Sequence, residues 1–359
     1  MESNNIGGSS RFNDDFPWLQ VIRSPPPSRR VTLVNDVIEA VTTQDHLVAM
    51  LRRRDIRRRE IRRRPHHRSD ADGAFIDLSN TDEDSDNDSD NDSDDDYFNQ
   101  YVHEEMNNSI NILFEHNKQV EELTFALDVI DQIINKIDYA NDFEKLGGFH
   151  IFLPCFRSEH SSVRIRICSF IFKLVQNNPY CQNKFMESTN CLKLQALMYM
   201  VENDNDYEVR NKALFAIYGL VHRNLPVFLQ FIAHGGKDLI LNSLNSSIYK
   251  LKIKAVLLIF STVCNLGNVV AELYIDNGVV EIISSIIMDM ENIVESNHHN
   301  LVLLTLNQLI HLSPVRVKAI CSSVEDFNQA LTSLRDSYSN ESKYEYAEEQ
   351  LLLLIEKLT

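Results

Sequence analysis

The chain has 359 residues, 52 acidic against 35 basic, and a formal net charge of −17. Its length would ordinarily suggest two or three domains, but most prolines and nearly all charge runs lie in the first hundred residues. The overall negative charge repels nucleic acid, despite one basic segment. The six cysteines (Cys155, Cys168, Cys181, Cys191, Cys264, Cys321) form no CxxC or other metal-type pair. They read as small buried thiols of a reducing compartment. Met1 to Phe16 is polar and acidic, unlike a secretory signal, and no apolar run reaches the roughly 18 residues that a bilayer requires. The terminal Glu-Lys-Leu-Thr is not an endoplasmic-reticulum retention signal, so the expected address is cytosol, with the nucleus also open.

In chain order, residues 1–100 are expected to form a disordered arm. Pro25-Pro26-Pro27 interrupts regular structure, and Val31 to Leu51 has the pattern of a short amphipathic helix. An arginine-rich tract follows at 52–68, with triplets Arg52-Arg53-Arg54, Arg57-Arg58-Arg59 and Arg62-Arg63-Arg64. Five residues advance a helix by about 500°, so the triplets do not share one face. A solvated basic arm or a nuclear-import signal fits this better than a helix that reads DNA. Phe75-Ile76-Asp77-Leu78-Ser79, mostly apolar and followed by acidic residues, resembles the motif by which nuclear proteins bind the modifier SUMO. Such a motif would add a strand to an exposed sheet edge. Residues 81–96 carry ten carboxylates among sixteen residues. Self-repulsion should keep this tract unfolded. Ser85, Ser89 and Ser93 each precede an Asp by three positions, the context that acidophilic kinases favour. A solubilising spacer is the alternative reading of the same tract.

From residue 101 the pattern becomes helical. Turn residues at Gly147-Gly148, Thr189-Asn190, Gly235-Gly236 and Asn277-Gly278 are separated by 42, 46 and 42 positions. A basic marker keeps the same phase: Val163-Arg164-Ile165-Arg166, Val209-Arg210-Asn211-Lys212 and Leu251-Lys252-Ile253-Lys254, spaced 46 and 42. This step predicts an all-α, right-handed armadillo/HEAT-like solenoid over 101–330. A C-terminal capping helix is expected within 331–359. The helix at each marker carries an apolar stripe: Val163, Ile167, Phe170, Ile171 and Leu174, then Val209, Ala213, Ala216, Ile217 and Leu220, then Leu251, Ala255, Leu258, Ile259 and Thr262. The opposite face of the middle helix runs Lys212, Phe215, Gly219, His222. Stacking should align Arg166, Lys212 and Lys254 into a basic row, flanked by Ser169, Phe215 and Leu257 and then by Lys173, Gly219 and Ser261. Such a ladder predicts a groove that receives an acidic protein surface. The pattern weakens after the fourth marker, through Glu291 to His299.

No phosphate loop, G-x-S-x-G elbow or H-E-x-x-H motif occurs in the sequence. Adjacent His298 and His299 point about 100° apart on a helix and make a poor metal pair. Cys168 falls on the buried stripe side. Catalysis, cofactor and metal are therefore not expected.

Several segments in order carry a family resemblance: Ala126-Leu127-Asp128 through Ile137 to Phe143, Val175-Gln176-Asn177-Asn178-Pro179, Val209 to Ile217, Lys250 to Ala255, and Glu345 to Leu358. Together they resemble the armadillo nucleotide-exchange factors of the seventy-kilodalton heat-shock chaperone, the HspBP/Fes type, with the SIL type more distant. The resemblance covers about residues 110–359. It implies a concave surface embracing one lobe of the chaperone's nucleotide-binding domain, displacing the lobes so that ADP leaves. On matching positions it implies that Ala140, Asn141 and Asp142 lie at the first repeat's edge. Gln176, Asn177, Lys212, Phe215, Lys252 and Lys254 would line the groove, with Arg166, Lys173 and His222 beside them. A scaffold for another acidic partner is the alternative. An import receptor fits poorly, because the one tryptophan, Trp18, lies outside the repeats and a basic groove repels basic cargo. A regulatory protein driven by its arginine arm is a third reading.

Overall fold

The computed structural model describes residues 92–359 except 116–117, 136, 188–190, 291–292, 294 and 340, and omits the side chains of 92–98. The Val31 to Leu51 segment, the arginine tract, the SUMO-like motif, Ser85 and Ser89 lie outside the described residues, and Ser93 is described only as backbone.

Val102–Thr359 forms one compact unit. Helix α1 (Asp92–Phe114) opens inside the acidic run expected to be unfolded. From Val102 onward α1 buries Val102, Met106, Ile110 and Leu113. Helix α2 (Val120–Ile133) completes the opening.

Five three-helix units follow among the described residues. The first is α3 (Ile137–Lys145), α4 (Phe152–Phe156) and α5 (Ser161–Val175). The second is α6 (Pro179–Met186), α7 (Leu192–Asn203) and α8 (Tyr207–Val221). Next come α9 (Leu225–Phe231), α10 (Lys237–Leu244) and α11 (Tyr249–Leu266), then α12 (Asn268–Asp276), α13 (Val279–Met288) and α14 (Ser296–Leu312). The last unit is α15 (Pro314–Ser323), α16 (Phe327–Tyr338) and α17 (Glu345–Leu358). The third helices stack in sequence, α2, α5, α8, α11, α14, α17, each against the next. All fifteen residues of the three expected apolar stripes are buried beneath this ladder.

Backbone geometry explains the period. A left-handed residue stands before each second helix: Gly147, Cys191, Gly235, Gly278 and Asp326, at φ 79, 52, 96, 79 and 59°. At the second turn the described left-handed residue is Cys191, and the expected Thr189-Asn190 lies outside the described residues. Glycine is needed beside two of these turns for a different reason. A Cβ on Gly148 would stand 2.3 Å from the Phe143 ring, and one on Gly236 would stand 2.6 Å from Phe231.

Two expected boundaries shift. Position 330 falls inside α16, and α17 is the third helix of a full fifth unit rather than a separate cap. Asn307 Nδ2 donates to the Gln350 carbonyl at 2.9 Å and Lys357 Nζ donates to the Asn307 carbonyl at 3.2 Å, continuing the ladder. His298 and His299, placed in an insertion by the sequence pattern, begin α14 and are buried. His298 Nδ1 lies 2.6 Å from the Tyr249 hydroxyl, and His299 bonds the Tyr338 hydroxyl and the Ile293 carbonyl.

Candidate functional site

The basic markers separate into two kinds of cation. The first cations of the first two markers reach back along the chain, Arg164 to the loop before α5 and Arg210 to the last turns of α7. Arg164 Nε and Nη2 donate to Asp204 at 2.7 and 2.9 Å, while its Nη1 reaches the Ser158 carbonyl at 2.7 Å. Arg210 Nε donates to the Val201 carbonyl at 2.7 Å. Lys252 occupies the same register and is half-buried. The Arg164–Asp204 pair ties the first unit to the second, and the Arg210 bond ties α8 to α7 within one unit, which gives these two cations a structural role.

Farther along these helices Arg166, Lys173 and Lys212 stand beside carboxylates, those of the first two lying across on α2. Arg166 pairs with Asp128 of α2. Lys173 Nζ donates to both the carbonyl and the carboxylate of Asp131 at 2.8 Å. Lys212 stands 3.8 Å from Glu208 on its own helix. Lys254 is only 3% exposed and lies 4.4 Å from the centroid of the Phe215 ring. The expected row of open lysines and arginines is thus corrected to a balanced surface. The missed partners, Asp128 and Asp131, sit on α2, before the first marker from which the repeats were aligned.

Aromatic side chains fill the seam between α5 and α8. Phe172 stacks on Phe215 with centroids 4.0 Å apart, Phe215 lies 5.4 Å from Tyr218, and Tyr218 lies 5.6 Å from His222. Phe172 and Phe215 keep part of their surface in solvent. Gly219 makes this possible: a Cβ there would stand 2.8 Å from the Phe172 ring. Sequence reasoning placed Gly219 on an open face, and the structure buries it. His222 is likewise 4% exposed, with Nδ1 2.8 Å from Ser261 Oγ. Burial first, with the charge of Arg223 adding, pushes its imidazole down to about 4. On α2, Phe125 is 68% exposed and was not singled out from the sequence.

At the first unit's edge, Ala140 is buried. Asn141 Oδ1 accepts from Asn178 Nδ2 at 3.0 Å. Asp142 contacts Lys145 at 2.8 Å and His103 at 3.0 Å. The hydrogen bond from Lys145 is the main cause that holds the Asp142 carboxyl below the usual carboxylate range. Gln176 is half-buried, and Asn177 is exposed in a left-handed turn at φ 52°. Asn178, Gln182 and Asn224 continue an amide network between first helices. Gln182 donates to the Gly219 and His222 carbonyls at 3.0 and 3.1 Å, and Asn224 donates to Gln182 at 2.9 Å.

Of the residues singled out from the sequence, Arg166 and Asn177 are exposed, and Asn141, Asp142, Lys173, Gln176, Lys212, Phe215 and Lys252 keep part of their surface in solvent. Lys254, His222 and Ala140 are buried. Cys168 is fully buried, and burial raises its thiol. Among the described residues, no group of three His, Cys, Asp or Glu converges as metal ligands, and no helix is long and apolar enough to cross a membrane.

Residues 139–272 match the family model for the SIL1/FES1/HPBP1 C-terminal domain. The chain is 25% identical to Hsp70 nucleotide exchange factor FES1 of Saccharomyces cerevisiae over 241 residues, 66% of this chain and 78% of that one. It is 25% identical over 166 residues to the protein of the same name from Eremothecium gossypii, covering 45% of this chain and 56% of that one. Hsp70-binding protein 1 of Mus musculus is 25% identical over 187 residues, 46% of this chain and 52% of the relative. The chain thus spans little more than half the length of two of these relatives. Among solved structures, the designed armadillo repeat protein YIII(Dq)4CqI superposes with a TM-score of 0.55 at 14% identity, over 71% of this chain and all of that one. The fold is the armadillo solenoid read from the repeat period.

Proposed function

We propose that this chain, whose residues 139–272 carry the SIL1/FES1/HPBP1 C-terminal domain, is a nucleotide-exchange co-chaperone of the seventy-kilodalton heat-shock chaperone. The observation that carries the reading is the coincidence of that domain with an in-phase ladder of third helices bearing half-exposed aromatic rings. On this reading the ladder grips the chaperone's nucleotide-binding domain and favours its open state, from which ADP departs. No bond is made or broken. The acceleration comes from preferential binding to one conformation of the partner. Reciprocity then requires that ADP weaken the grip by the same factor by which the grip weakens ADP.

The charge balance bears on how the partner is held. Because Arg166, Lys173 and Lys212 already have carboxylate partners, apolar contact with Phe125, Phe172 and Phe215 does most of the binding, and the paired cations set orientation. The family match, not the charge pattern, favours this reading over the scaffold alternative. Stopped-flow release of fluorescent ADP from the purified chaperone tests the function. The full chain should accelerate release, and no acceleration at saturating concentration would remove the proposal. A Phe125→Ala, Lys212→Glu double change should weaken the effect at least about tenfold, a loss of roughly 1.4 kcal/mol of binding. Undiminished activity would reject this surface while leaving the function standing.

For the arm, Phe75 to Ser79 is proposed to bind SUMO, supported by the apolar run and the acidic residues after it. Isothermal titration with SUMO should show binding that Ile76→Ala with Leu78→Ala abolishes. Absence of heat with the unaltered chain would dismiss it. A cytosolic or nuclear setting is proposed with these partners, in keeping with six free cysteines of which five are buried.

A further inference from the structure

Serines followed three residues later by Asp or Glu are distributed unevenly over the solenoid. No serine or threonine between residues 102 and 313 has an acidic residue at that distance. In the fifth unit four serines do: Ser322 with Glu325, Ser323 with Asp326, Ser333 with Asp336 and Ser342 with Glu345. All of these residues are exposed.

Their places in the fold differ. Ser333 lies within α16, and Ser342 opens the short turn Ser342–Tyr344 with the cationic Lys343 beside it. Ser322 and Ser323 are the last two residues of α15, and the turn 324–326 that follows carries Glu325 and Asp326. Backbone bonds across that turn are long, from Val324 to the Cys321 carbonyl at 3.3 Å and from Phe327 to the Val324 carbonyl at 3.4 Å. Both exceed the usual range of about 2.7–3.2 Å, so the turn opens more readily than the helices it joins.

We infer that Ser322 and Ser323 are phosphorylated by an acidophilic serine/threonine kinase, and that the phosphate loosens the end of α15. Such a kinase reads the acidic side chain three residues on through cationic side chains of its own. The serine Oγ attacks the γ-phosphorus of ATP, the bridging bond to the β-phosphate breaks, ADP leaves, and the hydroxyl proton passes to a base of the kinase. In the unmodified chain Ser322 Oγ donates to the Lys318 carbonyl at 2.8 Å, and Ser323 Oγ donates to the Ile320 carbonyl at 2.7 Å. A phosphate ester has no serine hydroxyl left to make these bonds. It adds roughly 1.5–2 negative charges at the carbonyl end of α15, beside Glu325 and Asp326, where the helix dipole also repels an anion. The last turn of α15 then frays, and with it the packing of Cys321, which is 2% exposed and 3.9 Å from Ser284 Oγ of α13. The fifth unit lies beyond residues 139–272, so the inference stands apart from the exchange reading.

The test treats the folded full chain with ATP and a purified acidophilic kinase, whose activity an acidic control peptide verifies, and maps phosphate by mass spectrometry. Phosphate should appear on both Ser322 and Ser323. A Glu325→Gln, Asp326→Asn double change should slow this labelling about tenfold, the loss of one charge-assisted contact. Asparagine tolerates the left-handed φ of 59° at position 326, so the variant keeps the turn and its circular dichroism. In the phosphorylated chain the amides of 319–326 should exchange with deuterium about tenfold faster, while a Ser322→Ala, Ser323→Ala chain treated identically shows no such change. No phosphate at these serines, phosphate only after thermal unfolding, labelling indifferent to the double change, or unaltered exchange in the phosphorylated chain would each overturn the inference.

Discussion

At the scale of single residues, His222 shows why a helical wheel misplaces side chains in a stack. The wheel put it opposite the apolar stripe, on the same face as Lys212, Phe215 and Gly219. In the solenoid a third helix is covered on three sides, by the core beneath and by a rung on either flank, so a residue opposite the core is often buried laterally. Ser261 of the next rung covers His222, and Phe172 of the previous rung covers Gly219. The buried imidazole has a pH consequence. Its folded-state value of about 4 lies below the ordinary 6.5, so between these limits the unfolded chain binds the extra proton. Stability from this group is full above about pH 6.5 and is lost as pH falls toward 4, by an amount of order 3 kcal/mol. His222→Gln should flatten that part of the stability curve, measured by urea denaturation across the window. His298 is pushed down to about 3 by burial and contributes to the same slope, so the variant should reduce it and not abolish it. An unchanged slope would mean that His222 is not shielded from solvent.

Among elements, the period was legible because it is written twice, in left-handed turns and in basic markers, and the turns have a mechanical reason to recur. The fourth and fifth third helices were not aligned from the sequence because their markers are not basic. His298, His299 and Asn300 open α14 where the earlier units place arginine or lysine, and the tyrosine partners of that histidine pair cannot be seen in a linear string. The marker cations were legible as a pattern but not as a role. Arg164 and Asp204 join the loops that precede α5 and α8, with side chains only 14 and 8% exposed. Removing one member of a shielded pair leaves the other uncompensated. Arg164→Ala should therefore cost about 3 kcal/mol, seen as a lower denaturation midpoint, whereas Arg166→Ala, at an exposed pair, should cost under about 1 kcal/mol. Equal losses would mean that the two cations are not divided as described.

Taken as a whole molecule, the solenoid distributes stability over neighbouring contacts, so its ends can be altered without collapsing its middle. The boundary at residue 100 would cut α1, which starts at Asp92 and whose later turns bury Met106 and Leu113. A chain lacking residues 1–91 should retain its full melting temperature and its acceleration of ADP release. One lacking 1–113 should lose stability, since the core under α1 is uncovered. If the shorter deletion already abolishes exchange, the function belongs to the arm and the groove reading is displaced.

Units linked only to their neighbours bend at the joints between them, and these joints are not equally compliant. Between α5 and α8 the overlapping Phe172 and Phe215 rings wedge the two helices against a glycine that leaves no slack. Stacked rings and a close glycine oppose rotation of α8 against α5, so this joint is expected to be the stiffest in the ladder. Any flexing needed to admit a bulky guest must then be taken up further along, where hydrogen exchange should run faster.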